Sequence, residues 1–287
     1  MRVRSIEGNR QRLDGGAMYG NCPRAVWQKW SPPDEQNRIT LACRALLVET
    51  GGQRVLLETG IGAFFEPKLR DRFGVEPEAH VLLESLAAAG LSHEDVDVVV
   101  LSHLHFDHAG GLLSAWRPDH ESDLLFPRAR FVTSRAAFER ATRAHDRDRA
   151  SFVPRLAERL AATGRLDLVE ASLAVPPSLP ADTFSFETSE GHTPGLLLTT
   201  VQAPRGPITF TSDLIPGVPW VHVPITMGYD RFPERLIEEK RALLERVRAR
   251  GGWLAFTHDP DVAAARVTRD ASGRFGAVDP LAVVDWA

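Results

Sequence analysis

Short hydrophobic runs bounded by turn residues recur along the chain and predict β-strands. Residues 98–101 are β-branched and unbroken, which is typical of a strand buried on both faces. Residues 41–49 and 54–58 are separated by Gly51-Gly52, a spacing typical of a hairpin. Four later runs have the same character and are also predicted as strands: residues 184–187, 196–202, 208–211 and 253–256.

Between the strands, apolar positions recur at helical spacing. Residues 79–89 and 232–250 show this pattern, and a glycine follows each of them, as is common at helix ends. Strands therefore come in two batches, each followed by helices. This order favours an α/β fold in which two sheets stack face to face with helices outside, over a singly alternating parallel sheet.

The first forty residues show no clear period. Turn residues such as Gly15-Gly16 interrupt them, yet they carry Met18, Tyr19 and Trp27. Large apolar side chains need cover, so residues 1–40 are predicted to form an irregular arm over the core, the mouth of a pocket or the interface of a homodimer. The 287 residues together are expected to form one domain.

Composition narrows the class of protein. The chain is 43% hydrophobic and 25% charged, as expected of a globular protein, and its net charge of -4 argues against nucleic acid as a partner. Two cysteines are too few for a disulfide framework. No apolar run resembles a signal peptide or a membrane span, so we expect a cytoplasmic protein without a membrane partner.

A dense polar cluster directly follows the strand at residues 98–101. It contains His103, His105, Asp107 and His108 within six residues and ends in Gly110-Gly111. Active sites in α/β proteins gather at the carboxyl ends of strands. The spacing suits a loop that curls around a point better than one face of a helix, and we interpret that point as a metal ion.

Three single residues occupy similar positions further along the chain. His192, Asp213 and His258 each come shortly after a predicted strand. Histidine nitrogen and carboxylate oxygen are donors that zinc prefers. Because all seven side chains exceed what one tetrahedral ion needs, two divalent ions are expected, with one carboxylate shared between them. Zinc is the expected metal, with manganese, iron and cobalt as alternatives.

The spacing His103-x-His105-x-Asp107-His108, followed in order by His192, Asp213 and His258, resembles the signature of the metallo-β-lactamase superfamily. The resemblance covers residues from about 41 to 258. It implies an αββα sandwich of two mixed sheets flanked by helices, with a dinuclear site at one edge. It also implies three ligand roles: His103, His105 and His192 for the first metal, Asp107, His108 and His258 for the second, and Asp213 as the bridge.

Within that superfamily the chain resembles most the lactonase and organophosphate-hydrolase branch, on residues 13–20, 227–230 and 257–260. Two positions depart from the pattern. Glu58 stands where the family usually has an aspartate that supports a metal-binding histidine. Leu214 and Ile215 follow Asp213, with no tyrosine where many acyl-homoserine lactonases place one, which leaves Tyr229 or Tyr19 as the only candidate phenols.

The resemblance implies a zinc-dependent hydrolase that opens a lactone, of the acyl-homoserine-lactone type associated with quorum quenching, or another hydrophobic ester. A metal-bridging hydroxide would attack, with Asp107 passing the proton to the leaving group and Tyr229 assisting. Apolar or amphipathic residues in loops beside the motifs are predicted to line the substrate pocket: Met18, Tyr19, Trp27, Phe64, His222, Met227 and Phe232.

Other functions remain open. A phosphotriester or arylester hydrolase, a glyoxalase-like thioesterase and a β-lactamase would each use a similar ligand set. Flavodiiron-type enzymes are disfavoured because they place a glutamate where this chain has His105. A nuclease would need a basic track. A metal-binding scaffold without catalysis is the alternative of a different class, since a fold alone does not fix a function.

Overall fold

The computed structural model describes residues 1–287, which form fifteen strands and eight α-helices. In chain order the strands are β1 (Arg2–Ile6), β2 (Gln11–Asp14), β3 (Arg38–Leu41), β4 (Ala45–Thr50), β5 (Gln53–Leu57), β6 (Val98–Val100), β7 (Arg130–Ser134), β8 (Leu166–Val169), β9 (Phe184–Ser189), β10 (Leu196–Ala203), β11 (Gly206–Phe210), β12 (Trp253–Ala255), β13 (Ala264–Arg269), β14 (Phe275–Leu281) and β15 (Asp285–Trp286).

The helices lie between these strands. They are α1 (Gly15–Tyr19), α2 (Arg24–Trp27), α3 (Pro67–Phe73), α4 (Val81–Ala88), α5 (Phe106–Ala109), α6 (Arg135–Thr142), α7 (Leu156–Ala162) and α8 (Pro233–Ala249). None of them combines the length and the hydrophobicity that a bilayer-spanning helix requires.

Two large mixed sheets form the centre of the molecule. The first has the strand order β15-β1-β4-β5-β6-β7-β8, and its β5, β6, β7 and β8 run parallel. The second has the order β14-β13-β12-β11-β10-β9. In this sheet β11 and β12 are the only neighbouring strands that pair in parallel. A separate two-stranded ribbon pairs β2 with β3.

Side chains alternate between the two faces of each strand, so one face of each sheet is apolar and packs against the other sheet. Leu46 and Val48 of β4 point into a core that they share with Leu197 and Phe210 of the second sheet, whereas Leu47 points to the opposite face. The outer face of the first sheet packs against α4, α6 and α7, and the outer face of the second packs against α8. The fold is therefore an αββα sandwich of two mixed sheets flanked by helices, as the sequence predicted.

The first forty residues are not the irregular arm that the sequence pattern suggested. They contain β1, which lies between β15 and β4 inside the first sheet, and the ribbon strand β2. Tyr19 and Trp27 stack at 5.4 Å and are buried, with Trp220 stacked on the other face of Tyr19. Because β1 finds its partners in β4 and at the far end of the chain, local periodicity could not reveal it.

Candidate metal centre

Every predicted metal-binding residue follows a strand at one edge of the sandwich. His103 follows β6, His105 caps the start of α5, and Asp107 and His108 lie in the single turn of α5. His192, Asp213 and His258 follow β9, β11 and β12 respectively. Because β9, β11 and β12 point the same way, their carboxyl ends meet at that edge.

Gly111, the second of the two glycines that follow the cluster, lies where the chain packs too closely for a side chain. A Cβ atom at Gly111 would collide with the carbonyl oxygen of Thr59, just beyond β5. With no side chain in the way, the turn of α5 packs against that segment, and both the amide and the hydroxyl of Thr59 donate to the His108 carbonyl at 3.0 and 2.9 Å. The glycine therefore places α5 and its ligands against the sheet.

Of the three groups of potential ligands that the fold assembles, two consist only of predicted metal-binding residues. In each group the ligand atoms lie within 4.8 Å of one another, and all of the residues are buried. The first group is His103, His105, His192 and Asp213, and the second is Asp107, His108 and His258.

Asp213 lies between the two groups. Its Oδ2 is 3.1 Å from His192 Nε2 and 3.2 Å from His108 Nε2, and its Oδ1 is 3.2 Å from His258 Nε2. One carboxylate thus faces histidines of both groups. This is the position that a bridging ligand must occupy.

The outer ring nitrogens of the histidines are held by oxygen acceptors. His108 Nδ1 donates to Glu58 at 2.7 Å, His192 Nδ1 to Asp230 at 2.9 Å and His258 Nδ1 to the Ala42 carbonyl at 2.7 Å. These acceptors assign the proton to Nδ1 and leave the Nε2 lone pair facing inward. Glu58 therefore reaches His108 with a side chain longer than that of aspartate and supports it from outside the two ligand groups.

The inward nitrogens fit a metal better than they fit one another. His108 Nε2 and His258 Nε2 are 3.3 Å apart, so two lone pairs face each other in a buried space. His103 Nε2 has no hydrogen-bond partner at all. Donor atoms bound tetrahedrally to zinc at about 2.0–2.1 Å lie about 3.3 Å apart. The donor set and its spacing therefore match the divalent ions expected from the sequence.

The electrostatics divide the imidazoles around the ionised Asp213 into two that are held neutral and three that are drawn towards the charged form. Burial lowers the pKa of His103 and His105, and neighbouring imidazoles lower it further. Burial also acts on His192, but Asp213 and Asp230 outweigh it and raise its pKa to about 9. Burial opposes a charge on His108 and His258, but Glu58 and Asp213 beside His108, and Asp213 beside His258, raise both pKa values well above the usual range. The surrounding histidines hold the pKa of Asp213 well below its usual range despite its burial. A cation at this position would take the place of the protons that these groups attract.

A cavity of about 360 Å³ opens onto both groups. Its floor contains Asp107, His192 and Asp213. The apolar part of its wall consists of Leu13, Met18, Phe73, Phe106, Ala150, Met227 and Tyr229.

Comparison with known proteins decides the family. Residues 38–258 match the family model described as the metallo-beta-lactamase superfamily. The chain belongs to this superfamily. The match confirms the resemblance seen in the sequence, and superfamily membership together with the two ligand groups supports a metal-dependent hydrolase.

Solved structures show the same metallo-β-lactamase fold. A probable metal-dependent hydrolase from Staphylococcus aureus is 24% identical, with 97% of each chain covered and a TM-score of 0.83. AidC, a dizinc quorum-quenching lactonase, is 22% identical with a TM-score of 0.73, and the hydrolase AbOPH is 18% identical with a TM-score of 0.74. Both alignments cover 96% of this chain and 93% of the other. At these identities the likeness shows the fold.

Within this superfamily fold, two of the residues predicted to form the pocket and one predicted to assist the reaction line the cavity. Met18, Met227 and Tyr229 do so. The Tyr229 side chain is 41% exposed, and burial, with a smaller effect of Asp107, raises its pKa to about 12. Tyr229 therefore keeps its phenolic proton at neutral pH and can act only as a hydrogen-bond donor or acceptor there.

The other predicted pocket residues lie elsewhere. Tyr19 and Trp27 are buried in the core, and the Tyr19 hydroxyl is bonded to Ser31 rather than to the cavity. Phe64 packs on Phe65, outside the cavity lining. His222 is exposed just after a 3₁₀ turn and faces a separate surface groove. Phe232 is 50% exposed at the start of α8.

Several cavity residues had no signal in the sequence. Arg72 and Phe73 come from α3, and Arg147, Asp148, Ala150 and Ser151 come from the segment between α6 and α7. In this segment Asp148 is buried and accepts both Nε and Nη2 of Arg140 at 2.8 and 2.7 Å. Only the folded chain brings these residues over the metal groups.

Proposed function

We propose that the chain is a dinuclear metallo-hydrolase that opens lactones or similar hydrophobic esters. The observation that carries the proposal is the Asp213 carboxylate, which faces both histidine groups at 3.1–3.2 Å beneath an accessible cavity. Two ions sharing a carboxylate supply a water activated at neutral pH and an electrophile for the ester carbonyl. Zinc is the metal we expect, because the donors are nitrogen and carboxylate oxygen.

The residues of the chain prepare the reaction in three ways. Glu58, Asp230 and the Ala42 carbonyl fix the histidines in the tautomer that presents Nε2 inward. Asp107 lies on the cavity floor and is placed to pass a proton to the leaving alkoxide. Tyr229, at the cavity wall with its proton retained, can donate a hydrogen bond to the substrate carbonyl.

The cavity supports a small substrate with an apolar portion. Its volume of about 360 Å³ lies at the lower end of small-molecule sites, and Leu13, Met18, Phe73 and Met227 line it. AidC, which shares the fold, was solved in complex with the product N-hexanoyl-L-homoserine. An N-acyl homoserine lactone with a short acyl chain is accordingly the first substrate to test.

A substrate panel tests the proposal together with the ligands. We expect the metal-loaded protein to hydrolyse lactones faster than phosphotriesters, thioesters and β-lactams in the same assay. Asp213→Ala removes the shared ligand and should lower kcat/KM by at least about 1000-fold, since the activated water depends on both ions. Metal content by elemental analysis accompanies every rate measurement.

The matched control is His120→Ala, which removes an exposed histidine outside both ligand groups and should leave the rate unchanged. Full activity of Asp213→Ala would show that the centre is not where the chemistry occurs. A panel in which phosphotriesters react faster than lactones would assign the site to the organophosphate hydrolases instead.

A further inference from the structure

Asp107 is held by a neighbour that the sequence pattern did not reveal. Gln11 Nε2 donates to Asp107 Oδ2 at 2.7 Å, and both side chains are buried. Because an ionised carboxylate only accepts hydrogen bonds, the amide must present its nitrogen to Asp107. The amide oxygen then points away and has no partner. The orientation of Gln11 is therefore set by Asp107 and by nothing else.

Gln11 is placed by the ribbon of β2 and β3. Its backbone pairs with Leu41, the last residue of β3. The next residue, Ala42, accepts His258 Nδ1 at 2.7 Å through its carbonyl and donates its amide to the His258 carbonyl at 3.1 Å. The ribbon and the residue that follows it thus contact Asp107 and His258, two of the three members of the second ligand group.

The first ligand group depends on other parts of the fold. His103 Nδ1 is bonded to Ser102 at 2.9 Å, and His192 Nδ1 is bonded to Asp230 at 2.9 Å. Neither partner belongs to the ribbon. The contact between Gln11 and Asp107 is therefore separate from these supports of the first group, so it can be changed without them.

We propose that Gln11 is a positioning residue that selectively stabilises the second metal ion by orienting Asp107. The proposal rests on the dinuclear centre of the proposed function. Asp107 lies 3.6 Å from the Nε2 atoms of both His108 and His258, so a rotation of its carboxylate would separate it from the other two ligands. A neutral amide fixes that rotation without placing a positive charge beside the ion, as arginine or lysine would.

Gln11→Met tests the proposal, because methionine keeps the length of the side chain and removes the donor. Apo-protein is titrated with Co²⁺, and the absorption bands and the metal stoichiometry report the two sites in turn. We expect affinity for the second ion to fall by about 10–100-fold, the usual effect of losing a partner of a metal ligand, with the first ion unaffected. Asp230→Asn, on the other side of the centre, should weaken the first ion instead.

Arg12→Met is the control on the same strand, because Arg12 is partly exposed and pairs only with Glu76 on the surface. Equal weakening of both ions in Gln11→Met, or no weakening of the second, would overturn the proposal. Circular dichroism checks that the variant is folded, and Gln11→Leu, which also lacks the donor and adds no charge, should reproduce the selective loss. If wild-type protein binds fewer than two ions, the dinuclear centre itself is wrong, which is a separate result.

Discussion

At the scale of single residues, Glu58 combines an unusual backbone with a central role. Its φ of 64° lies in the left-handed region, which a residue with a side chain adopts only when its surroundings require it. The carboxylate accepts His108 Nδ1 at 2.7 Å and the hydroxyls of Ser102 and Ser212. These contacts link the ends of β5, β6 and β11, so Glu58 joins both sheets beneath the ligands.

Replacement of Glu58 should therefore affect metal affinity more than folding. Glu58→Gln keeps the shape but replaces one acceptor oxygen with a donor, so the Nδ1–H of His108 loses its charged partner. We expect metal affinity to fall by about 10–100-fold. The metal affinity of Glu58→Asp, which shortens the side chain by one methylene, should lie between those of Glu58→Gln and wild type. Competition with a chromophoric chelator measures the change, and unchanged affinity in Glu58→Gln would show that the contact is incidental.

At the scale of secondary structure, the sequence predicted those elements whose pattern is local. The buried run that became β6 and the charged amphipathic helix α8 carry their own periodicity, and the ligands follow the strands directly in sequence. The strand β1 was missed because Val3 and Ile6 are buried on opposite faces of the first sheet with two polar residues between them, so no apolar alternation is visible. Arg72 and Gln11 reach the site only through tertiary contacts, for which one sequence holds no signal.

Helix α8 contains a buried cation that predicts a dependence on pH. Burial lowers the pKa of Lys240 to about 7, and its Nζ donates to the Ile225 carbonyl at 2.5 Å. Below about pH 7, Lys240 is protonated in both the folded and the unfolded state, so the free-energy cost of burying its charge is present in full. As the pH rises from about 7 to 10.5, only the unfolded state keeps the proton, so stability increases.

Lys240→Met removes this cost while keeping most of the volume of the side chain. At pH 6 we expect the free energy of unfolding to rise by about 2–3 kcal/mol, after allowing for the lost hydrogen bond. The difference in the free energy of unfolding between Lys240→Met and wild type should be smaller at pH 9. Denaturant unfolding at both pH values measures it, with Lys68→Met on an exposed face of α3 as the matched control. A gain independent of pH would mean that packing, not charge, is responsible.

At the scale of the whole molecule, the metal groups connect the two halves of the sandwich at one edge of their shared apolar core. His103, His105, Asp107 and His108 belong to the half built on the first sheet, and His192, Asp213 and His258 belong to the second. Each ligand group, with Asp213 included in both, takes residues from the two halves. A bound ion therefore stabilises the contact between the sheets as well as the local loops.

Removal of the metal should consequently lower the stability of the entire domain. An ion present at about a hundredfold excess over its Kd stabilises the folded state by about 2.7 kcal/mol, if it does not bind the unfolded chain. For a domain of this size that corresponds to about 5–10 °C in Tm. We expect scanning calorimetry to show this decrease when a chelator is added to wild-type protein.

Asp213→Ala should start from the lower Tm and respond little to chelator, because its single substitution removes a ligand from both groups. His93→Ala, a change of a partly exposed histidine outside those groups, should respond as wild type does. If the Tm of the wild-type protein were the same with and without metal, the seven side chains would not form an ion-binding centre, however well their spacing fits one.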